Sequence, residues 1–155
     1  MAAVRRGAEV GFDAVELNLG QGYLLGSFLS PRANRRADVY GGDQVRFPRS
    51  VVEAVRAAWH GPLAVRLSDG PHAVEHAAAL REAGADLVHV ATGQATEPAA
   101  AEYRRGHLTA FSDRIRSEAH VATMVGGYLD TLDAANTIVG AGRADLCLLE
   151  PAALT

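Results

Sequence analysis

Short apolar segments alternate along the chain with longer segments in which apolar residues recur at helical spacing. The apolar segments are predicted to be strands, at residues 14–17, 63–67, 86–91, 121–125 and 145–149. The other segments are predicted to be helices, at residues 2–10, 44–60, 71–83, 111–119 and 131–139. Pro48 fits the first turn of its helix, and Ser112 or Thr109 is available to cap the fourth helix. Residues 19–43 and 92–109 are predicted to be long loops, which are uncommon unless they are functional or disordered.

One junction is repeated three times, as G-F-D-A-V-E-L, G-A-D-L-V-H-V and G-R-A-D-L-C-L. In each copy a glycine ends a helix, an aspartate occupies the turn and an apolar strand follows. Repeated strand–helix units with apolar strands are typical of an α/β fold with a parallel sheet. A closed (β/α)8 barrel requires eight strands and about 250 residues. The 155-residue chain is therefore either an open, doubly wound sheet or part of a barrel.

Three polar side chains follow the first predicted strand, at the position where α/β proteins bind ligands. Asn18 and Gln21 could donate hydrogen bonds to a substrate carbonyl, and the phenol of Tyr23 could deliver a proton to the neighbouring carbon. Alternatively, the three side chains cap the strand and bond the backbone of the loop.

Two further features could hold an anionic cofactor. Arg66 lies inside an apolar strand, where its charge needs a partner, and that partner is either a cofactor anion or a carboxylate such as Glu16. Gly126 and Gly127 separate a strand from a helix, where backbone N–H groups could cradle a phosphate. Glycines also occupy such turns for steric reasons alone.

Other reactive side chains have simpler interpretations. His72 and His76 are one helical turn apart, but no third metal ligand is evident, so a solvated helix face is expected. Cys147 is expected to be buried in the core. Arg35 and Arg36 are expected to be solvated or to brace the first loop.

Composition narrows the class of protein. The net charge of −3 provides no basic surface for nucleic acid or an anionic membrane. The single cysteine excludes an internal disulfide framework and suits a reducing compartment. No apolar run approaches the roughly 20 residues that span a bilayer, and the charged N-terminus is unlike a secretion signal. A cytoplasmic protein that acts on a small molecule is expected.

The stretch E-L-N-L-G-Q-G-Y-L-L-G-S-F-L-S-P-R-A-N-R-R-A-D-V-Y-G-G-D resembles the signature of the Old Yellow Enzyme family of FMN-dependent NADH:flavin oxidoreductases. Members typically read E-[IL]-H-x-A-[HN]-G-Y-L-L-x-x-F-L-S-P-x-x-N-x-R-x-D-x-Y-G-G. The segments V-R-L-S, F-S-D-R-I-R-S-E-A, V-A-T-M-V-G-G and A-G-R-A-D-L-C-L-L resemble later units of the same barrel. In detail they are similar to the reductase-like half of salicylyl-CoA 5-hydroxylases and anthraniloyl-CoA monooxygenases.

This resemblance implies a mechanism and a role for each site residue. Tyr23 matches the proton donor, while Asn18 and Gln21 match the pair that grips the substrate carbonyl. Arg66 matches the arginine beside the pyrimidine edge of the flavin, where positive charge favours reduced, anionic flavin. Gly127, or Gly126, matches the glycine that binds the FMN phosphate. In such enzymes NAD(P)H reduces FMN, which passes hydride to an activated alkene or an aromatic acyl-CoA-type substrate.

The sequence departs from the family pattern at three places. Asn18 replaces the usual histidine, Gln21 replaces its His/Asn partner, and Glu150 occupies the place of a phosphate-binding arginine, where a carboxylate would repel the phosphate. The resemblance also implies that the chain begins just before the fourth strand of the barrel, without the first three strands. Residues 1–155 are therefore predicted to form a single C-terminal portion of an FMN-binding TIM barrel, roughly strands 4 to 8.

Two consequences are expected of an incomplete barrel. Its exposed strand edges and apolar faces predict self-association, a complementing chain or poor solubility. The alternatives to an active enzyme are an inactive barrel fragment or partner subunit that no longer binds FMN, and an unrelated flavodoxin-like open sheet.

Overall fold

The computed structural model describes residues 2–92 and 104–149. Within them the strands are β1 (Val15–Asn18), β2 (Leu63–Ser68), β3 (Leu87–Ala91), β4 (Ala122–Val125) and β5 (Leu146–Cys147). The helices are α1 (Ala2–Glu9), α2 (Leu24–Leu29), α3 (Val39–Gly42), α4 (Arg46–Arg56), α5 (Ala73–Glu82), α6 (Thr109–Glu118) and α7 (Leu132–Gly140). Every predicted strand and helix is present, with ends that shift by a few residues.

The strands form one parallel sheet in the order β1-β2-β3-β4-β5, so each strand pairs with the next one along the chain. A doubly wound sheet reverses its strand order at a switch point, whereas a barrel adds strands in sequence. The structure is therefore part of a (β/α)8 barrel, and the open-sheet alternative is wrong.

The two faces of the sheet have different chemistry because side chains alternate along each strand. On β2, Leu63, Val65 and Leu67 are buried and belong to the apolar core, to which residues of the surrounding helices also contribute. Arg66 and Ser68 point to the opposite, concave face. One row of this concave face is set by the register of all five strands and contains Asn18, Arg66, His89, Met124 and Leu146.

Two of the three repeated aspartates, those before β3 and β5, fasten their strand to the strand before it. The Oδ2 atom of Asp86 accepts a hydrogen bond from the N–H of Leu63 at 2.8 Å and lies 3.5 Å from Arg56 of α4. Asp145 repeats this arrangement on Thr123 at 2.9 Å, with Arg116 of α6. Two copies of the sequence repeat therefore form the same structural clamp at the amino-terminal ends of the strands.

The first long segment is more ordered than the predicted loop at 19–43, because it contains α2 and α3. The rings of Phe28, Tyr40 and Phe47 pack together, with the centroids of Phe28 and Phe47 4.6 Å apart. Asn34 donates from Nδ2 to the carbonyl oxygens of Phe28 and Tyr40 at 3.0 and 2.7 Å. These contacts fold the segment against α4, and apolar spacing alone did not predict them. Arg36 braces the same segment by pairing with Asp38, in agreement with the loop-bracing expectation.

The start of α4 agrees with the prediction from sequence, whereas the start of α6 does not. Pro48 lies in the first turn of α4, as predicted. Leu108, rather than Ser112 or Thr109, occupies the N-cap of α6 and makes no side-chain cap bond. The hydroxyl of Ser112 instead donates to Oγ1 of Thr123 at 2.8 Å inside the core.

The second predicted loop, at 92–109, falls largely at residues 93–103, outside the described residues. Among the helices of residues 2–92 and 104–149, none has both the length and the apolar character that a membrane crossing requires.

Candidate functional site

The site begins where β1 ends, with Asn18. The Oδ1 atom of Asn18 accepts a hydrogen bond from the N–H of Gly20 at 3.0 Å. This bond fixes the orientation of the amide and leaves its Nδ2 group, which can only donate, for another partner. Part of the strand-capping alternative is therefore correct, but it leaves the donor on which the substrate role depends.

Gln21 has a left-handed backbone conformation, with φ of 58°. Such a conformation is uncommon for residues other than glycine and requires support from its surroundings. The N–H of Gln21 donates to Oγ of Ser68 at 2.7 Å, and that hydroxyl donates to the carbonyl of Thr92 at 3.2 Å. The ends of β2 and β3 thus hold Gln21 in place.

Tyr23 occupies the N-cap position of α2, with extended backbone angles. Its side chain is 64% exposed and therefore does not belong to the apolar core. The N–H of Tyr23 donates to the carbonyl of Gly20 at 3.4 Å, and its own carbonyl accepts from Ser27 at 2.7 Å. The phenol is consequently accessible at the same edge of the sheet as Asn18 and Gln21.

Arg66 is the strand neighbour of Asn18, and its side chain lies beside the backbone of Gly20, where a Cβ would be 3.6 Å from Cγ of Arg66. The Nε atom of Arg66 is buried and has no hydrogen-bond partner among the described residues. The suggested pairing of Arg66 with Glu16 is not present. Glu16 instead contacts Nδ1 of His89 at 2.8 Å, because the small side chain of Ala64 lets it reach across β2.

Gly126 and Gly127 lie at the carboxyl end of β4, on the same edge of the sheet. Gly127 has φ of 91°, and a Cβ there would lie 2.7 Å from the ring of His107, so the position requires glycine. Arg105 forms an ion pair with Asp130 at 2.6 Å in the same region. Glu150, which stands where the family has an arginine, lies outside the described residues.

Of the remaining candidates, His72 and His76 line a pocket together with Gly22 and Ser68, next to the site. The rings of His72 and His76 are 6.1 Å apart, and burial, with a smaller contribution from the charge of His72, lowers the pKa of His76. Within the part of the chain that the structure describes, no three residues of metal-binding type cluster together. Cys147 is half-buried rather than fully buried, and burial raises the pKa of its thiol.

The structure thus gathers Asn18, Gln21, Tyr23 and Arg66 at adjacent strand ends, with Gly126 and Gly127 two strands further along the edge. Sequence reasoning missed Ser68 and His89. The signal for His89 was its place in an apolar strand, where a polar residue on one face needs a partner.

Bacterial NADPH dehydrogenases are similar to this chain. NADPH dehydrogenases from Geobacillus sp. (strain WCH70) and Bacillus subtilis (strain 168) are 39% and 35% identical over 157 and 159 residues. These alignments cover 94% and 95% of this chain but 46% and 47% of the relatives. The chain therefore spans about half the length of the curated relatives it matches.

A solved structure agrees on the fold. The 6-hydroxypseudooxynicotine amine oxidase from Pseudomonas geniculata N1 superposes with a TM-score of 0.80 at 22% identity, over 96% of this chain and 25% of that one. A sequence model of the NADH:flavin oxidoreductase / NADH oxidase family matches residues 1–150. The chain belongs to the NADH:flavin oxidoreductase / NADH oxidase family, as its resemblance to Old Yellow Enzymes predicted.

Proposed function

We propose that this chain forms the substrate side and part of the cofactor site of an FMN-dependent NAD(P)H oxidoreductase that reduces an activated alkene or an aromatic acyl-CoA-type substrate. The family and its NADPH dehydrogenase relatives imply FMN and NAD(P)H as cofactors, in agreement with the prediction. When bound, FMN supplies hydride transfer between the nicotinamide and the substrate.

The substrate side consists of hydrogen-bond donors around an accessible phenol. Nδ2 of Asn18 and the side-chain amide of Gln21 donate to the substrate carbonyl and withdraw electron density from it. Tyr23 delivers the proton to the adjacent carbon. The bond from Gly20 that orients Asn18 and the Ser68 bond that holds Gln21 support these roles.

The proposal rests on one observation, the buried Nε atom of Arg66 that has no hydrogen-bond partner among the described residues. A buried guanidinium atom without a partner is costly, unless a bound group completes its hydrogen bonding. The pyrimidine edge of a flavin offers acceptor atoms of the required kind. Arg66 therefore fits FMN, and Gly127 is the candidate contact for its phosphate.

The experiment that tests this proposal is a titration of the purified chain with FMN, followed by quenching of flavin fluorescence. Arg66→Met should weaken FMN binding by about tenfold or more, because hydrogen bonds to charged groups contribute about 1.5–3 kcal/mol. Arg143→Met, at an exposed arginine, is the matched control and should bind like the unaltered chain.

The two other outcomes are informative. Equal binding by Arg66→Met and the unaltered chain would contradict the role of Arg66. No binding by the unaltered chain would favour the alternative, a barrel fragment or partner subunit that does not hold FMN by itself.

A further inference from the structure

The concave face carries a hydrogen-bonded pair of side chains that the proposed function does not use. Glu16 of β1 and His89 of β3 are separated by β2, yet Oε2 of Glu16 lies 2.8 Å from Nδ1 of His89. A carboxylate can only accept, so Nδ1–H of His89 donates. His89 is buried, whereas the side chain of Glu16 is 35% exposed.

This contact depends on the register of three strands. Glu16 is the strand partner of Ala64, and His89 is the strand partner of Arg66. Glu16 therefore crosses β2 diagonally, over a methyl group, and reaches the row that holds Arg66. A larger side chain at position 64 would stand in its way.

Arg66 lies next to this pair but does not join it. Its nearest carboxylate along the concave face of β1 is Glu16, a diagonal neighbour within reach of long side chains. The described residues nevertheless contain no ion pair between Arg66 and any carboxylate, and Nε of Arg66 has no partner among them. Arg66 therefore has an Nε atom without a partner although a glutamate lies within reach, and this arrangement needs an explanation.

We propose that His89 is a positioning residue that holds Glu16 away from Arg66. While Glu16 accepts a hydrogen bond from His89, no carboxylate offsets the positive charge of Arg66, and its Nε–H remains free to donate to the bound flavin. Without His89, Glu16 forms an ion pair with Arg66. The carboxylate then offsets the charge of Arg66 and competes with the flavin for the N–H groups of Arg66. This inference rests on the proposed function for its consequence in FMN binding, but not for the side-chain arrangement itself.

The test is a cycle of three variants of the full chain, titrated with FMN by fluorescence. His89→Leu should weaken FMN binding about tenfold, and Glu16→Gln alone should change it less than about threefold. The double variant His89→Leu/Glu16→Gln should recover binding to within about threefold of the unaltered chain, because no carboxylate remains to occupy Arg66. A purely structural role for His89 would leave the double variant as weak as His89→Leu, which would overturn the proposal.

A conservative variant provides a control in case the His89→Leu variant does not fold. His89→Gln retains a donor for Glu16 and should bind FMN nearly as well as the unaltered chain. Thermal melting followed by circular dichroism checks that each variant folds. If His89→Leu does not fold, weak FMN binding by a folded His89→Gln would contradict the proposal, and near-normal binding would support it.

Crystal structures of the FMN-free chain separate this inference from the proposed function. In His89→Leu, a carboxylate oxygen of Glu16 should lie within about 4 Å of a guanidinium nitrogen of Arg66. Glu16 remaining apart from Arg66 would overturn the inference even if FMN binds. Conversely, an unaltered chain that binds no FMN would refute the proposed function, while the Glu16–Arg66 contact in the variant would still support the inference.

Discussion

The two candidate amide residues of the site differ in how far along the chain their hydrogen-bond partners lie. Asn18 is oriented by Gly20, two residues away, whereas Gln21 is held by Ser68, 47 residues away. The first arrangement is a local turn that the residue type favours. The second exists only because β1 and β2 end side by side.

A substitution of Tyr23 tests its proposed role as the proton donor in alkene reduction. Tyr23→Phe should slow alkene reduction about 100-fold, because removal of a positioned proton donor has effects of that order, while reduction of the flavin by NAD(P)H is spared. Stopped-flow absorbance of the flavin measures the two half-reactions separately. Tyr40→Phe, in the aromatic cluster, is the control, and equal loss of both half-reactions in Tyr23→Phe would contradict the assigned role.

His76 predicts a pH dependence of stability. Burial lowers the pKa of His76 below its usual 6.5, with a smaller lowering from His72, opposed by Glu75 and Asp43. The unfolded chain therefore binds this proton more readily than the folded chain, and stability falls as the pH falls below about 6.5.

The measurement is the free energy of unfolding in urea between about pH 7.5 and 5.5. His76→Gln should show a smaller decline over this range than the unaltered chain, while His60→Gln, at an exposed histidine, should show the same decline. An unchanged decline in His76→Gln would assign the pH dependence to other groups.

At the scale of elements, the repeated aspartate clamp explains how strands and helices are joined. Asp86 and Asp145 each bond a strand N–H and pair with an arginine of the helix that precedes that strand. Asp13, in the first copy along the chain, forms no side-chain hydrogen bond with the described residues. One sequence motif thus has two structural outcomes, which depend on whether a neighbouring strand lies beside it.

This difference yields a matched pair of variants. Asp86→Ala should lower the free energy of unfolding by about 1–3 kcal/mol, because it leaves the buried N–H of Leu63 without its acceptor. Asp13→Ala should change it by less than about 0.5 kcal/mol, as expected of a surface substitution. Thermal or urea unfolding measures the change in the free energy of unfolding for both variants. Equal changes would show that the bond from Leu63 to Asp86 does not stabilise the fold.

At the scale of the whole molecule, the described sheet has two unpaired edges, since β1 pairs only with β2 and β5 only with β4. β5 is two residues long, and Leu146, on its concave side, is 51% exposed. Exposed strand edges with apolar side chains favour association with another chain. We therefore propose that the 155-residue chain self-associates or binds a complementing chain.

Size-exclusion chromatography with light scattering tests self-association. Leu146→Lys should shift the purified chain towards the monomer, because a charge on the edge opposes pairing there. Val139→Lys introduces the same charge on the exposed surface of α7 and should not produce this shift. A stable monomer of the unaltered chain at all concentrations, with no complementing chain bound, would contradict the proposal.

The sequence alone determined much of this protein, because the informative patterns are local. Apolar periodicity located every strand of the sheet and the five helices predicted from it. The signature that begins in β1 identified the family and the cofactors. The same local patterns failed inside residues 19–43, where aromatic packing against α4 stabilises two short helices. Ser112 likewise resembled a helix cap, but it bonds Thr123 in the core instead.

Only the tertiary structure decided how distant residues pair. Strand order separated a barrel from an open sheet, which alternation alone left undecided. Glu16 and His89 are 73 residues apart, and their contact follows from the register of three strands and the small side chain between them. Because register is set by the packing of the whole sheet, no single segment of the sequence determines that Glu16 pairs with His89 and not with Arg66.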